Sequence, residues 1–213
     1  MINEILWDWN GTLLNDIDVC INSINQVLRK YSIKEIQNQN EYRKKFCFPI
    51  EQYYKNLGFD LKNNSFSNLA KEYLDIYQPI SKIASLNIET INVLEYFKFN
   101  GFTQNILSAS QLNNLIDQIY YFKIESYFQD IKGINNIFAS SKIEIASQWL
   151  KENKKDPSNL LLIGDTYHDY EVSKFINCKC FLYLNGHQYL KNNIDAIFFN
   201  NLSEIPTLIN NIR

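Results

Sequence analysis

The chain has 213 residues and a mass of 25.2 kDa, which exceeds the usual domain of about 100–150 residues and falls short of two full-sized ones. Hydrophobic residues make up 46% and charged residues 21%, a globular balance that excludes a disordered tail and a coiled coil. With 21 basic against 23 acidic side chains the net charge is -2, so a nucleic-acid partner is not expected.

The first residues, Met1 to Asp8, lack the basic stretch, apolar stretch and small-residue site of an export signal. No apolar run approaches the roughly 18 residues of a membrane span, so no membrane partner is expected. Four cysteines (Cys20, Cys47, Cys178 and Cys180) are too few and too irregularly placed for a disulfide framework. A reducing, cytoplasmic setting is the expectation.

Residues 4–9 (Glu-Ile-Leu-Trp-Asp-Trp) form a short apolar run that stops at the turn-forming cluster Asn10-Gly11-Thr12, which predicts a buried strand ending in a loop. Helical spacing then dominates, over 16–31, 50–57, 65–79 and 88–98, with no convincing strand from 16 to 90. Short apolar runs follow at 103–108, 135–138, 159–163, 179–184 and 195–199, alternating with helical segments at 111–121, 142–153, 167–176 and 202–211. Such alternation predicts an α/β fold with a doubly wound, Rossmann-like parallel sheet covered by helices on both faces. The core is expected at residues 1–15 and 91–213. Residues 16–90 read as a helical cap inserted after the first strand, at the carboxyl edge where open α/β sheets place their ligands.

Acids recur at that edge. Asp8 ends the first strand, Gly164-Asp165-Thr166 ends the strand at 159–163, and Asp169 lies one helical turn beyond Asp165. Clustered negative charges repel unless a cation sits among them, and oxygen ligands with room for water and phosphate favour Mg²⁺. Ser108 ends the second strand, with Ala109 and Ser110 expected at the start of the following helix, where backbone N–H groups suit an anion. Lys142 opens a helix and brings a mobile positive charge. A carboxylate nucleophile, donors for phosphoryl oxygens and a metal between them form a constellation for phosphoryl transfer.

In their order, Asp8-Trp-Asn-Gly-Thr-Leu, Ile106-Leu-Ser108-Ala, Ser141-Lys142 and Gly164-Asp165-Thr-Tyr-His-Asp169 resemble the four motifs of the haloacid dehalogenase-like hydrolases. The closest likeness is to the phosphoglycolate phosphatase-like members, which carry a helical cap between the first two motifs. The resemblance covers essentially the whole chain. It implies a Mg²⁺-dependent phosphatase acting on a small phosphorylated metabolite. Asp8 would be phosphorylated, and Ser108 and Lys142 would hold the transferring group. Asp8, Asp165, Asp169 and the carbonyl of Asn10 would hold the metal. Gly11, Thr12, Ala109, Arg43 and His187 are the expected substrate contacts.

The pattern departs at Asn10, where family phosphatases usually have a second Asp that serves as general acid and base. An amide neither gives nor takes a proton at neutral pH. Such catalysis is worth about 10²–10⁴-fold, or about 3–5 kcal/mol of barrier. Three readings follow. The substrate has a good leaving group, or water or His187 carries the proton; or a cap lysine (Lys44, Lys45 or Lys55) forms a Schiff base for carbon–phosphorus cleavage; or the fold is a phosphate-binding module. Asn15 and Asp16 read as caps of the helix starting near 16. His168 reads as an outer or surface residue, and Cys178 and Cys180 as small apolar strand residues. Tyr42 to Pro49 reads as a basic, aromatic loop that could bring Arg43 to a second anionic group of the substrate. Oligomeric state is not legible.

Overall fold

The computed structural model describes residues 1–134, 142–191 and 194–212. Strand β1 (Glu4–Trp7) leads through the short β2 (Leu14–Asn15) into four helices: α1 (Ile17–Lys30), α2 (Gln39–Lys45), α3 (Ile50–Leu57) and α4 (Phe66–Ile80). The chain returns by β3 (Ser85–Leu86), antiparallel to β2. From there it runs through α5 (Thr90–Phe99), β4 (Thr103–Gln111), α6 (Leu112–Tyr121), β5 (Asp130–Ile134), α7 (Lys142–Asn153), β6 (Leu160–Gly164), α8 (Tyr167–Ile176), β7 (Lys179–Tyr183), β8 (Ile197–Phe199) and α9 (Ile205–Asn210).

Six strands form one sheet in the order β5-β4-β1-β6-β7-β8, with every pairing parallel. Side chains alternate across the sheet. Ile5, Trp7, Leu161 and Ile163 join one core with Val93, Phe97, Leu115 and Ile209, from α5, α6 and α9. Leu6, Leu160 and Leu162 join another with Ala146, Trp149, Val172 and Ile176, from α7 and α8. Each fully buried Leu, Ile or Val is worth about 1.5–3 kcal/mol, which is why the central strands read as unbroken apolar runs. The chain winds outward from β1 through β4 to β5, then restarts beside β1 at β6. The switch point lies between β1 and β6, where ligands bind in such sheets.

The inserted helices have a core of their own. In α1, residues Ile17, Cys20, Ile24, Val27 and Leu28 are buried at three- and four-residue spacing and pack with Tyr42, Tyr53, Tyr54, Leu57, Leu69 and Tyr77. Two linkers hold this unit to the sheet, where Asn87 N donates to Leu13 O at 2.8 Å and Thr90 Oγ1 to the same carbonyl at 3.1 Å.

Several sequence expectations need correction. The strand beside β4 is Asp130–Ile134, while the expected strand at 135–138 lies outside the described residues. Strand β4 runs on to Gln111 through a shift in register after Leu107, so Ala109 and Ser110 belong to an irregular strand end and α6 starts only at Leu112. They offer no helix N-terminus. The expected helix at 202–211 is split into a 3₁₀ turn, Leu202–Glu204, and α9. Residues 42–45 are helical rather than loop-like, as the last part of α2.

Candidate active site

Because β1 and β6 are neighbours, with Trp7 opposite Ile163, their carboxyl ends bring Asp8 and Asp165 together. Asp8 N donates to Ile163 O at 2.8 Å, which fixes the first residue past the strand. Asp169 joins them from the first turn of α8, where Thr166 and Asp169 form a reciprocal capping box. Ligand oxygens of these three carboxylates lie within 4.8 Å of one another. Lys142, 3% exposed at the start of α7, ion-pairs with both Asp8 and Asp169, the latter at 2.6 Å.

One lysine against three buried carboxylates leaves two negative charges uncompensated, and the electrostatics show it. Burial works against the Lys142 ammonium, but Asp169 and Asp8 raise its pKa nonetheless. Asp169 is also opposed by burial, yet the Lys142 charge and the Thr166 hydroxyl hold it below the usual carboxylate range. Asp8 is pushed up by burial and by Asp169 against the pull of Lys142. Asp165 rises well above its ordinary value, because burial and the charges of Asp8 and Asp169 outweigh His187. All-oxygen donors with excess negative charge fit a hard divalent cation such as Mg²⁺, which would keep both acids ionised. Asp169 accepts from Thr166 and the Asp165 backbone on one oxygen and from Lys142 on the other, so it is the most heavily bonded of the three carboxylates that could hold one.

The structure places the remaining expected residues unevenly. Ser108 is buried at the cavity wall, where its Oγ accepts from Ser110 N at 3.0 Å, and Ala109 and His187 line the cavity too. Gly11 and Thr12 do not line it. The Gly11 N–H donates to Leu14 O and to Asp16 Oδ1, and Thr12 is fully buried with its hydroxyl 3.2 Å from both Asp8 and Asp165. Thr12 spaces the acids and is not free to bind substrate. Gly11 is needed for room, since at its φ of 76° a Cβ would collide with the Asp165 carboxylate and the His187 ring. Arg43 is also absent from the cavity. Its Nε donates to Gly186 O and its Nη2 to Asn185 O, both at 2.8 Å, which ties α2 to the loop after β7.

Asn10 sits in a network that the sequence did not disclose. Its Nδ2 donates to Asp16 Oδ2 at 2.7 Å and lies 3.0 Å from the Tyr77 hydroxyl, while its Oδ1 accepts from Ser110 Oγ at 2.5 Å. Asp16 occupies the N-cap position of α1 but makes no side-chain cap bond. It is fully buried and accepts instead from Asn10, Tyr77 and Gly11. His187 Nε2 lies 3.0 Å from Asp16 Oδ1, and His187 Nδ1 is 2.8 Å from the Tyr42 hydroxyl. Burial opposes charge on both partners, but His187 and the surrounding donors hold Asp16 down to about 2, and Asp16 raises His187. The signal available for Asp16 is its place, a carboxylate in the same loop as Asp8 and Asn10. Cys20 Sγ donates to Asp16 Oδ2 at 3.3 Å, and burial together with Asp16 pushes its thiol pKa well up, so it is held as a neutral donor. His168 is buried, stacked on Phe48 with ring centroids 4.6 Å apart, and its Nε2 accepts from Lys142 N at 3.3 Å.

The cavity above the acids has a volume of about 190 Å³ and reaches from Asp8 to the aromatic side chains of the inserted helices. Among solved structures, the fold is similar to a haloacid dehalogenase-like family hydrolase from Streptococcus pneumoniae (TM-score 0.84, 18% identity, 98% of each chain covered). It is similar as well to a predicted phosphatase from Clostridium acetobutylicum (TM-score 0.84, 18% identity, 99% of each chain covered). A third likeness is to a CbbY mutant from Rhodobacter sphaeroides in complex with xylulose-(1,5)bisphosphate (TM-score 0.75, 16% identity, 96% of each chain covered). No curated protein matches the sequence. The family model for haloacid dehalogenase-like hydrolases matches residues 5–183, most of the chain and all of the acid and lysine positions described above, so the chain belongs to that family.

Proposed function

We propose that the protein is a Mg²⁺-dependent phosphatase that hydrolyses a small phosphorylated metabolite through an aspartyl-phosphate at Asp8. The observation that carries this reading is the convergence of Asp8, Asp165, Asp169 and Lys142 at the sheet's switch point. An Asp8 carboxylate oxygen attacks phosphorus and the ester P–O bond breaks, its electron pair leaving with the alcohol oxygen. Water then attacks the same phosphorus and the acyl phosphate P–O bond breaks, its electron pair returning to the Asp8 carboxylate, while the water's proton passes to the released phosphate or to bulk water and inorganic phosphate departs. Lys142 and Ser108 hold the transferring oxygens, and Asp169 positions Lys142. Asp8, Asp165, Asp169 and the Asn10 carbonyl would hold the metal, whose positive charge, when bound, offsets the negative charge of nucleophile and phosphate. Residues 16–90 serve as the cap, and the core is 1–15 with 91–213. Four free thiols suit the reducing cytoplasm expected for the protein, and no helix among the described residues is long and apolar enough to cross a membrane.

Asn10 bears on how well the reaction runs. It has no proton to give, and His187 does not replace it, because both ring nitrogens are engaged by Asp16 and Tyr42. This is the observation behind the second reading, a phosphate-binding module with weak or no turnover. The Schiff-base reading finds no amine, since among the described residues no cap lysine lines the cavity. Incubation with Mg²⁺ and 4-nitrophenyl phosphate decides between the first two. Turnover that disappears on chelation and falls at least about 10⁴-fold in Asp8→Asn supports the phosphatase. A protein that binds Mg²⁺ and phosphate but turns over nothing in a broad metabolite panel is the binding module.

A further inference from the structure

Resting on the phosphatase reading, we propose a substrate class: monophosphate esters of an uncharged aromatic alcohol, whose oxygen departs as a stable phenolate-like anion. Two independent features of the site point there. One is the ceiling of the cavity, the other is the side chain at position 10.

The cavity is mainly apolar on the side of the inserted helices. Phe46, Phe48, Tyr53, Phe66 and Tyr73 line it together with Ile50. Phe46 and Tyr53 are in ring contact at 5.2 Å, and Phe46 and Phe48 at 5.8 Å. Among the described residues Lys142 is the sole Lys or Arg of the lining, and it is committed to Asp8 and Asp169. The His187 ring also lines the cavity but is committed to Asp16 and Tyr42, so a second phosphate or a carboxylate on the leaving group would meet aromatic faces and no free counter-charge, which disfavours its desolvation. A neutral ring meets partners for edge or offset stacking. An apolar cavity of about 150 Å³ accepts benzene, so 190 Å³ suits a phosphoryl group at the acids and a ring beneath the cap.

Position 10 sets the leaving group. With Asn10 unable to donate a proton and both nitrogens of His187 engaged, the departing oxygen leaves as an anion and takes its proton from bulk water afterwards. A phenol, with a pKa of about 10, tolerates this. An alkyl alcohol, close in acidity to water at about 15.7, does not.

The test separates ring from leaving group by measuring kcat and KM with Mg²⁺ for four compounds. Phenyl phosphate has both features, benzyl phosphate the ring alone, acetyl phosphate the leaving group alone, and phosphoglycolate neither. Phenyl phosphate is expected to exceed phosphoglycolate at least 100-fold in kcat/KM. Benzyl phosphate should match its KM with kcat at least 100-fold lower, and acetyl phosphate should keep kcat with KM at least tenfold higher. Phosphoglycolate turned over as well as phenyl phosphate would overturn the assignment. If none of the four is hydrolysed, it is the phosphatase reading that fails, and calorimetry with non-hydrolysable phosphonates then judges the pocket alone. Phenylphosphonate binding at least tenfold more tightly than phosphonoacetate supports the aromatic class, and equal or reversed affinities refute it.

Discussion

The floor and the ceiling of the cavity are built on opposite principles. The floor comes from strand ends and from the first turns of α7 and α8, and nearly every polar atom in it has an assigned partner. The ceiling comes from an inserted helical unit and consists of rings that touch one another at 5–6 Å, with one hydroxyl left over. A charged floor fixes a reaction type, because phosphoryl transfer depends on where a few charges stand. The apolar ceiling carries little geometry of its own, and it selects by what it fails to offer, namely counter-charge.

Substitutions can break this division in order of severity. Lys142→Ala removes the cation shared by Asp8 and Asp169, and turnover should fall by about 10²–10³-fold. Loss of a buried ion-pair partner should also lower stability by about 3–5 kcal/mol, as read from urea unfolding, with added Mg²⁺ recovering part of it.

Next comes the pair that joins cap to core. Asp16 is held at about 2, against an ordinary value of 3.8. Its folded-state pKa is depressed, so its contribution is complete above pH 3.8 and is lost as the pH falls toward 2. The contribution is about 2 kcal/mol. Unfolding midpoints measured between pH 6 and pH 2 should show this loss in the native protein, and Asp16→Asn should flatten that part of the profile. An unchanged slope in the variant would mean that other carboxylates carry the acid sensitivity.

Asn10→Asp should act in the opposite direction to the lysine change. A second carboxylate beside Asp16 shares its site, so one of the two retains a proton near neutrality and can donate it. Hydrolysis of benzyl phosphate should rise at least tenfold, and that of phenyl phosphate much less. Smallest of all, Phe48→Leu trims the ceiling where it stacks on His168 and should raise KM for phenyl phosphate by about three- to tenfold, in keeping with a lost stacking contact of about 1 kcal/mol.

Much of the floor was legible because its residues follow unbroken apolar strands. Leu160 to Ile163 could only be an interior strand, and that placed Asp165 at its carboxyl end. Strand β5 was missed because Asp-Ile-Lys-Gly-Ile alternates weakly and lies at the sheet edge, where burial demands less of the sequence. Helix α2 was read as loop because Gln-Asn-Glu-Tyr-Arg-Lys-Lys buries only Tyr42. Asp16 was mistaken for a cap because an Asp at a helix start looks the same whether it bonds the helix or faces a cavity. Arg43 was sent toward the substrate on charge alone. Its actual partners are backbone carbonyls, which leave no trace in a sequence.

Those carbonyls have a consequence for how the lid is latched. A guanidinium bound to carboxylates would loosen on acidification or under competition from salt, whereas peptide oxygens do not titrate and cannot be altered by changing the side chains that bear them. The Arg43 fastening therefore does not depend on the side chain at Asn185, but it does depend on Gly186, where any Cβ would collide with the Asp165 side chain. Its vulnerable elements are the arginine and that glycine.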